Sequence, residues 1–502
     1  MIKIFSTSQT READQYTIEQ EPVCSIDLME RAAMAFTSMF VSTYSAESSI
    51  HIFCGYGNNG GDGLAIARLL LQKSYPVTVY LLADSQNYSA DLQINLSRFR
   101  EIKSAAIHPI AAEDDFPIIE ADAVIVDALF GSGLNRPLSG LAAALIRHLN
   151  TQQCIRVAVD IPSGLFADQW SAGEVFMAHH TITFQHPKLS FLFPENAAAV
   201  GRWATVPIGL HQHYIRTTAT AHYLTEPQDI KKIINQRGKF DHKGTFGHAF
   251  IHAGSKQKMG AAILCGKACM RAGAGLTTLH ASGTTAGIIN TAIPEAMTMT
   301  YKVNSKQPFN WTGFSAAAFG PGTGTGQPAT TMLLALLKGI VVPAVLDADA
   351  LNIISMQKKS WKLLPDNSII TPHLREFERL AGHTRNWYER HQLQLQLSKQ
   401  HSIFIVLKGA YSCITTPDGI SYFNPTGNPG MAKGGSGDVL TGILAGLLAQ
   451  RYDPLNACLL GVYLHGLAGD LAVKKQSVHS LLARDIIDCI SDAYNELTSE
   501  QA

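Results

Sequence analysis

The sequence predicts an α/β protein of two domains, each built on a mostly parallel sheet covered by helices. Three observations carry this expectation. The chain has 502 residues, more than the ~250–300 at which a single hydrophobic core stops growing. Short apolar runs alternate with helical patterns on both sides of one polar stretch. Glycine, 41 residues in all, gathers at the ends of those runs, where open α/β sheets hold their ligands.

In the first half, SIHIFCG reads as a buried strand and DGLAIARLLLQ as the helix that follows it. VTVYLLA, DAVIVDALFGSG, CIRVAVDIPSG and HTITFQ read as further strands. Apolar runs without polar alternation suit a parallel sheet buried on both faces. From 207 to 245 the pattern weakens, and a boundary near residue 220 divides the chain into domains 1–220 and 221–502. Beyond it HAFIHAGS, GLTTLHA, AAAFGPGTGTG, AVLDADALN, NSIITPHLREF, IFIVLKGA and SCITT read as strands. AAILCGKACMRAG and TTMLLALLKGI are among the helices between them.

Lys plus Arg and Asp plus Glu both number 40. A net charge of zero argues against nucleic acid or an anionic membrane as partner. No run reaches the about 18 apolar residues of a membrane helix, and the start lacks a signal-peptide core. None of the eight cysteines forms a C-x-x-C pair. Cys265 and Cys269, four apart, have no His or Cys cluster to complete a metal site. A cytoplasmic protein is expected, as a homo-oligomer.

Gly55, Gly57 and Gly60 give G-x-G-x-x-G between a strand and a helix, with Asp84 past the next strand. That is the grammar of a dinucleotide loop. Yet Asn58, Asn59 and Asp62 add side-chain oxygens that a pyrophosphate wrap does not need. Asp127 and Asp160 both end strands and would face one crevice, with Ser163 close behind. Such oxygens make a site for a hard cation, and a remaining acid could move a proton. Gly131 to Pro137 is a second glycine turn suited to phosphate. The plainer reading makes each of these groups a cap or a turn closure.

In the second half, NPGMAKGGSGDVLTGILAGLLAQ leads Gly434, Gly435, Ser436 and Gly437 into a helix beginning near Asp438. Successive amides and the helix dipole would hold an anion there. Asp438 would take the proton of an attacking hydroxyl. No G-K-[ST] follows, so this is not a Walker loop. Lys433 is a second phosphate candidate or a solvated loop residue. FGPGTGTG, VLDADALN, His373 with Glu376, and Lys408 all fall at strand ends.

The first set of motifs resembles the epimerase half of the bifunctional NAD(P)H-hydrate repair enzymes. It comprises GNNGGDG (57–63), DALFGSGLNRP (127–137) and DIPSG (160–164), with LMERAA (28–33) and TFQHPK (183–188). The resemblance implies a Rossmann-like three-layer αβα domain. It implies that Asn58, Asn59, Gly60, Gly61 and Asp62 hold the hydrated dinucleotide, together with Gly131, Ser132, Gly133, Leu134, Asn135, Arg136 and Pro137. Asn59, Asp127 and Ser163 would bind K+, and Asp160 would contact the hydrate and serve as acid/base. NPGMAKGGSGDVLTG and TPHLREFERL resemble the dehydratase half, of ribokinase-like fold. Ala262, Gly322, His373 and Asp438 would then line the hydrate site. Lys408, Gly409, Ala410, Tyr411 and Ser412 would hold the adenine nucleotide, with Gly434, Gly435, Ser436 and Gly437 at its phosphates. The chain departs from the family at Leu374–Arg375, where Pro-Gly is common, and at Lys433 and Ser436, where Thr is usual.

The implied substrates are NADHX and NADPHX, which carry a hydroxyl on C6 beside the ring nitrogen. The first domain would interconvert their R and S forms. The second would dehydrate the S form after phosphoryl transfer, with ADP giving AMP and phosphate, or ATP giving ADP and phosphate. Mg2+ is an expected companion. The competing readings are a ribokinase-type small-molecule kinase with a nucleotide-binding accessory domain, a non-enzymatic nucleotide sensor, and a redox enzyme.

Overall fold

The computed structural model describes residues 1–83, 88–102, 106–301 and 309–499; Asp84 lies outside them. The chain forms two compact units. One is Lys3–Thr220 with Asn386–Tyr388; the other takes Met1–Ile2, Ala221–Arg385 and the chain from Glu389 onward.

The first unit is a seven-stranded sheet in the order Ala106–Ile110, Val77–Leu82, Ile50–Cys54, Val124–Ala128, Ile155–Val159, His180–Phe184, Arg202–Val206. Every pairing is parallel. Ile50, Ile52 and Cys54 enter one core and Phe53 the other, so both faces are covered and the unit has three layers. The chain winds outward in opposite directions from Ile50–Cys54 and Val124–Ala128, which makes their carboxyl ends the switch point where such sheets bind ligands. The glycines are required there. A Cβ on Gly55 would meet the Leu129 carbonyl oxygen at 1.9 Å, and one on Gly60 the Gly55 oxygen at 2.0 Å.

The second unit's sheet runs His222–Leu224, Ser421–Phe423, Cys413–Thr415, Phe404–Leu407, Ile369–Ile370, Ala344–Leu346, Ala316–Phe319, His248–His252, Leu276–Ser282, Met297–Tyr301. Cys413–Thr415 pairs antiparallel with both neighbours, and the other pairings are parallel. Behind the sheet, helix Ser436–Ala449 lies against helix Met259–Arg271 at backbone contact. A Cβ on Gly442 would stand 2.1 Å from the Cys265 carbonyl oxygen, and one on Gly446 2.5 Å from that of Cys269. Both cysteines are fully buried beside this helix crossing. Among the described residues no group of three His, Cys, Asp or Glu could hold a metal. Helix Pro454–Lys475 is long and apolar enough to cross a membrane, but 72% of its apolar window is buried inside the unit, as in a core helix.

The α/β class expected from the sequence is the one observed. Several strands carried no readable signal. Ala106–Ile110 is a half-exposed edge strand containing Pro109. His222–Leu224 and Ser421–Phe423 have three residues each, too few for a period.

Two candidate active sites

In the first unit a cavity of about 460 Å³ opens at the switch point. Its wall includes Asn58, Asn59, Asp62, Gly131 to Arg136, and Asp160. Three expected contacts are absent from that wall. Asn58 to Asp62 form the first turn of helix Asn58–Gln72 rather than a free loop. That turn faces Gly60 onto Gly55 and Gly61 onto the Met29 sulfur. Pro137 packs toward Gly173 instead.

Asp127 and Ser163 do not face the cavity either. Both are fully buried and bind each other: Asp127 accepts from Ser163 N (2.7 Å), Ser163 Oγ (2.6 Å) and Leu129 N (3.1 Å). Burial pushes the Asp127 carboxyl up to about 6, against these hydrogen bonds. Asp127 lies inside its strand, so the crevice expected at its side chain is closed over by the turn that carries Ser163. Asn59 is also buried, and its Nδ2 has no hydrogen-bond partner. Turning the amide over would place an oxygen where a donor is now unmatched. Two carboxylate oxygens, a hydroxyl and an amide oxygen are donors suited to a hard monovalent cation.

Asp160 has φ of 63°, a strained conformation for a residue with a Cβ. Its Oδ1 accepts from Lys188 Nζ (2.7 Å), Phe184 N (3.0 Å) and Thr183 Oγ1 (3.1 Å). Lys188 is itself 3% exposed, so this is a buried ion pair that fixes the carboxylate. Sequence reasoning gave Lys188 no role. The signal was available, since it follows the carboxyl end of strand His180–Phe184 as Asp160 follows that of Ile155–Val159. Asp14, in the same wall, comes from helix Thr7–Gln20, which carries no motif.

In the second unit, Asp438 is the third residue of helix Ser436–Ala449, behind Gly435 at φ 96°. Burial first, then Asp347 and Asp349, raise its carboxyl to about 6, with Lys408 and Lys258 opposing. Asp347, 1% exposed, organises the centre. It accepts from Lys408 Nζ (2.8 Å), Thr441 Oγ1 (2.8 Å) and its neighbour's Ala348 N (2.8 Å). Lys408 Nζ also lies 4.0 Å from Glu376. At Gly437 a Cβ would come 3.3 Å from Lys408 Nζ and 3.5 Å from Asp347 Oδ2. Asp349 accepts from Gly324 N (2.8 Å) and pairs with Lys258 (3.4 Å). Gly322, at φ 66°, closes on Lys258 and Ala261. The glycine loop, the 319–326 loop, Lys408 and Asp438 thus meet at one end of the sheet. Sequence reasoning assigned no role to Asp347 or Thr441; only the AVLDADALN motif hinted at the first.

The remaining expected residues are placed less directly. His373 is the N-cap of helix Leu374–Ala381: its Nδ1 accepts from Arg375 N (3.1 Å), and Glu376 returns a bond to His373 N (3.0 Å). Half its side chain stays exposed. Ala262 is fully buried under Gly254 and offers no open surface. Gly409 to Ser412 form a tight turn closed by Ser412 Oγ on Gly409 O (2.9 Å), with Gly409 and Ala410 exposed and Tyr411 at φ 53°. Gly434 is exposed, whereas Ser436 is buried, with its hydroxyl 3.3 Å from His465 Nε2. Lys433 is tied to the His479 carbonyl at 2.5 Å.

Comparison with known proteins adds the following. A family model described as NAD(P)H-hydrate dehydratase matches residues 249–492, and one described as YjeF-related protein N-terminus matches residues 25–190. A bifunctional NAD(P)H-hydrate repair enzyme of Moorella thermoacetica is 33% identical over 517 residues, covering 99% of this chain and 97% of the relative. Its counterpart from Escherichia coli K12 is 32% identical over 478 residues, covering 93% and 89%. The Bacillus subtilis ADP/ATP-dependent NAD(P)H-hydrate dehydratase, co-crystallised with ATP/Mg2+, superposes with a TM-score of 0.51 at 31% identity. The match covers 56% of this chain and all of that one.

Proposed function

The chain belongs to the bifunctional NAD(P)H-hydrate repair enzymes, and from that premise we propose how its residues divide the work. It is an NAD(P)H-hydrate epimerase and dehydratase in one polypeptide. In our reading the cavity of the first unit interconverts R and S hydrates, and the Asp438 centre dehydrates the S form.

The observation that carries the second assignment is the Asp438 environment. Hydroxide leaves carbon poorly, whereas phosphate leaves well. The C6 hydroxyl of the hydrate gives its proton to Asp438 as its oxygen attacks the terminal phosphorus of the nucleotide. The amides of Gly435 to Gly437, at the helix N-terminus, and the Lys408 ammonium meet the charge that develops on the transferred group. Asp347 holds Lys408 and so fixes that charge in place. Push from the ring nitrogen then breaks the C6–O bond and expels phosphate. Loss of a proton from C5 of the resulting iminium, to the departing phosphate or to water, restores the reduced nicotinamide. ADP is the donor we favour, giving AMP and phosphate, with ATP as the alternative. Mg2+ bound with the nucleotide would neutralise phosphate charge; Asp347 and Asp349 are carboxylates at hand for it.

In the first unit, Asn58, Asn59, Asp62 and the turn from Gly131 to Arg136 grip the dinucleotide, and Asp160 handles a proton at C6. Asn59, Asp127 and Ser163 would hold K+, which would supply fixed positive charge beneath the cavity. Their oxygen-rich donor set supports this.

The test is recovery of nicotinamide absorbance from purified S and R hydrates. S-form recovery should require ADP or ATP, and no nucleotide-dependent recovery would reject the dehydratase assignment. A stable phosphorylated product would instead mark a ribokinase-type kinase.

A further inference from the structure

The epimerase reading, on which this inference rests, leaves half of the proton traffic at C6 unassigned. Inverting that carbon removes one oxygen as water and returns another on the opposite face. The departing oxygen needs a proton and the entering water must lose one, so two groups are required. Asp160 is placed for only one of these tasks: three donors, the Lys188 ammonium among them, hold its Oδ1, so a single carboxylate oxygen is left for a proton. Two other carboxyl groups reach the same cavity, Asp14 and Asp62. Neither carboxyl has a hydrogen bond or ion pair among the described residues. His186 is also in the wall, 9% exposed. Polar groups left unmatched around a cavity call for an occupant that matches them.

We propose that Asp14 is the second proton-transferring group of the epimerase, working with Asp160 on the hydrated nicotinamide ring. The ring-nitrogen lone pair breaks the C6–O bond while the Asp14 carboxyl protonates the departing oxygen, releasing water. Solvent water then adds to the other face of C6 and gives its proton to the Asp160 carboxylate. No electrons change hands. The reverse direction uses the two acids with roles exchanged, and proton exchange with solvent resets the pair.

Electrostatics support this choice over the neighbours. Asp14 is raised to about 6 by burial and by Asp160, with Lys188 opposing, so near neutrality it can both give and take a proton. Asp62 is pushed well above its ordinary value by burial first and then by Asp160, Asp14 and Asp91, and it stands in the turn already assigned to gripping the dinucleotide. Burial and Lys188 bring His186 down to about 4, so it carries no spare proton. Arg11, Arg136 and Lys188 are the other charged groups in the wall.

The experiment uses the full chain and early rates with R hydrate, read through nucleotide-dependent recovery. Asp14→Asn should slow R-form use at least 100-fold, while S-form recovery, which needs only the second unit, persists. Asp14→Glu should restore part of the rate and move the alkaline limb of the R-form pH profile. In 18O water each inversion should place one label at C6. The proposal is overturned if Asp14→Asn stays within fivefold of wild type, if that limb stays put in Asp14→Glu, or if inversion retains the original oxygen. A wild-type chain with no R-form use beyond the uncatalysed rate would sink the epimerase reading itself.

Discussion

Single side chains decide the chemistry, and two of them can be tested through their protons. As the proposed base, Asp438 must be ionised. With its carboxyl raised to about 6, S-form dehydration should fall tenfold per pH unit below about pH 6. Asp438→Asn should abolish it at every pH. The same shift has a stability consequence with a definite sign. The folded protein binds this proton more tightly than the unfolded chain, whose ordinary carboxyl value is 3.8. Asp438 therefore weakens the fold increasingly as pH rises from about 4 to 6. Asp438→Asn removes that penalty and should stabilise the second unit by about 1–2 kcal/mol at pH 7. The gain should vanish below pH 4, as denaturant unfolding at both pH values would show; a gain that persists there would contradict the assignment. Sequence made Asp160 and Asp438 visible because each stands in a motif at a strand or loop end. Lys188, Asp347 and Asp14 were passed over for different reasons. Lys188 sat in a motif read only as a family match, and Asp347 in a strand end read only as acidic. Asp14 is brought to the cavity by the placement of a whole helix, which no local pattern encodes.

Elements hold those side chains in register, and the glycine contacts show where tolerance is lowest. Helices Met259–Arg271 and Ser436–Ala449 touch through Gly442 and Gly446, with no room for a methyl group. Gly442→Ala must push the second helix, which carries Asp438 at its start, away from the first. Overpacking of this kind costs about 3 kcal/mol, a fall of about 6–12 °C in the Tm of the second unit. S-form turnover should drop with it, even though residue 442 lies a full turn beyond Asp438. Unchanged Tm and turnover would show that the crossing can relax. Long apolar strands and the helices after glycine loops were readable, because burial on two faces leaves a continuous apolar run. Short edge strands were not. Ala106–Ile110 keeps two exposed residues out of five, and its pairing depends on a partner 28 positions away. Nor could sequence show that Asn58 to Asp62 are helical, since a first helical turn and a glycine loop are written in the same residues.

At the scale of the whole molecule, each site is furnished by its own unit. The first cavity is walled by residues between Phe5 and Leu210, and the Asp438 centre by residues between Lys258 and Thr441. The two activities should therefore separate by mutation and by ion. Asp160→Asn should leave S-form recovery intact and slow early R-form recovery at least 100-fold. Asp438→Asn should stop recovery from both forms, yet R and S should still interconvert when their ratio is followed by chromatography. Replacing K+ with a bulky organic cation should slow interconversion alone, because the proposed K+ ligands, Asn59, Asp127 and Ser163, all belong to the first unit. Uncatalysed inversion sets a floor under every R-form rate, so the contrast must be read before that background accumulates. The Asp438→Asn chain is the most informative of these. If interconversion died with dehydration, inversion would depend on the dehydratase centre, and two self-sufficient sites could not be the right account. If it survived, the damaged cofactor would be inverted in one unit and dehydrated in the other.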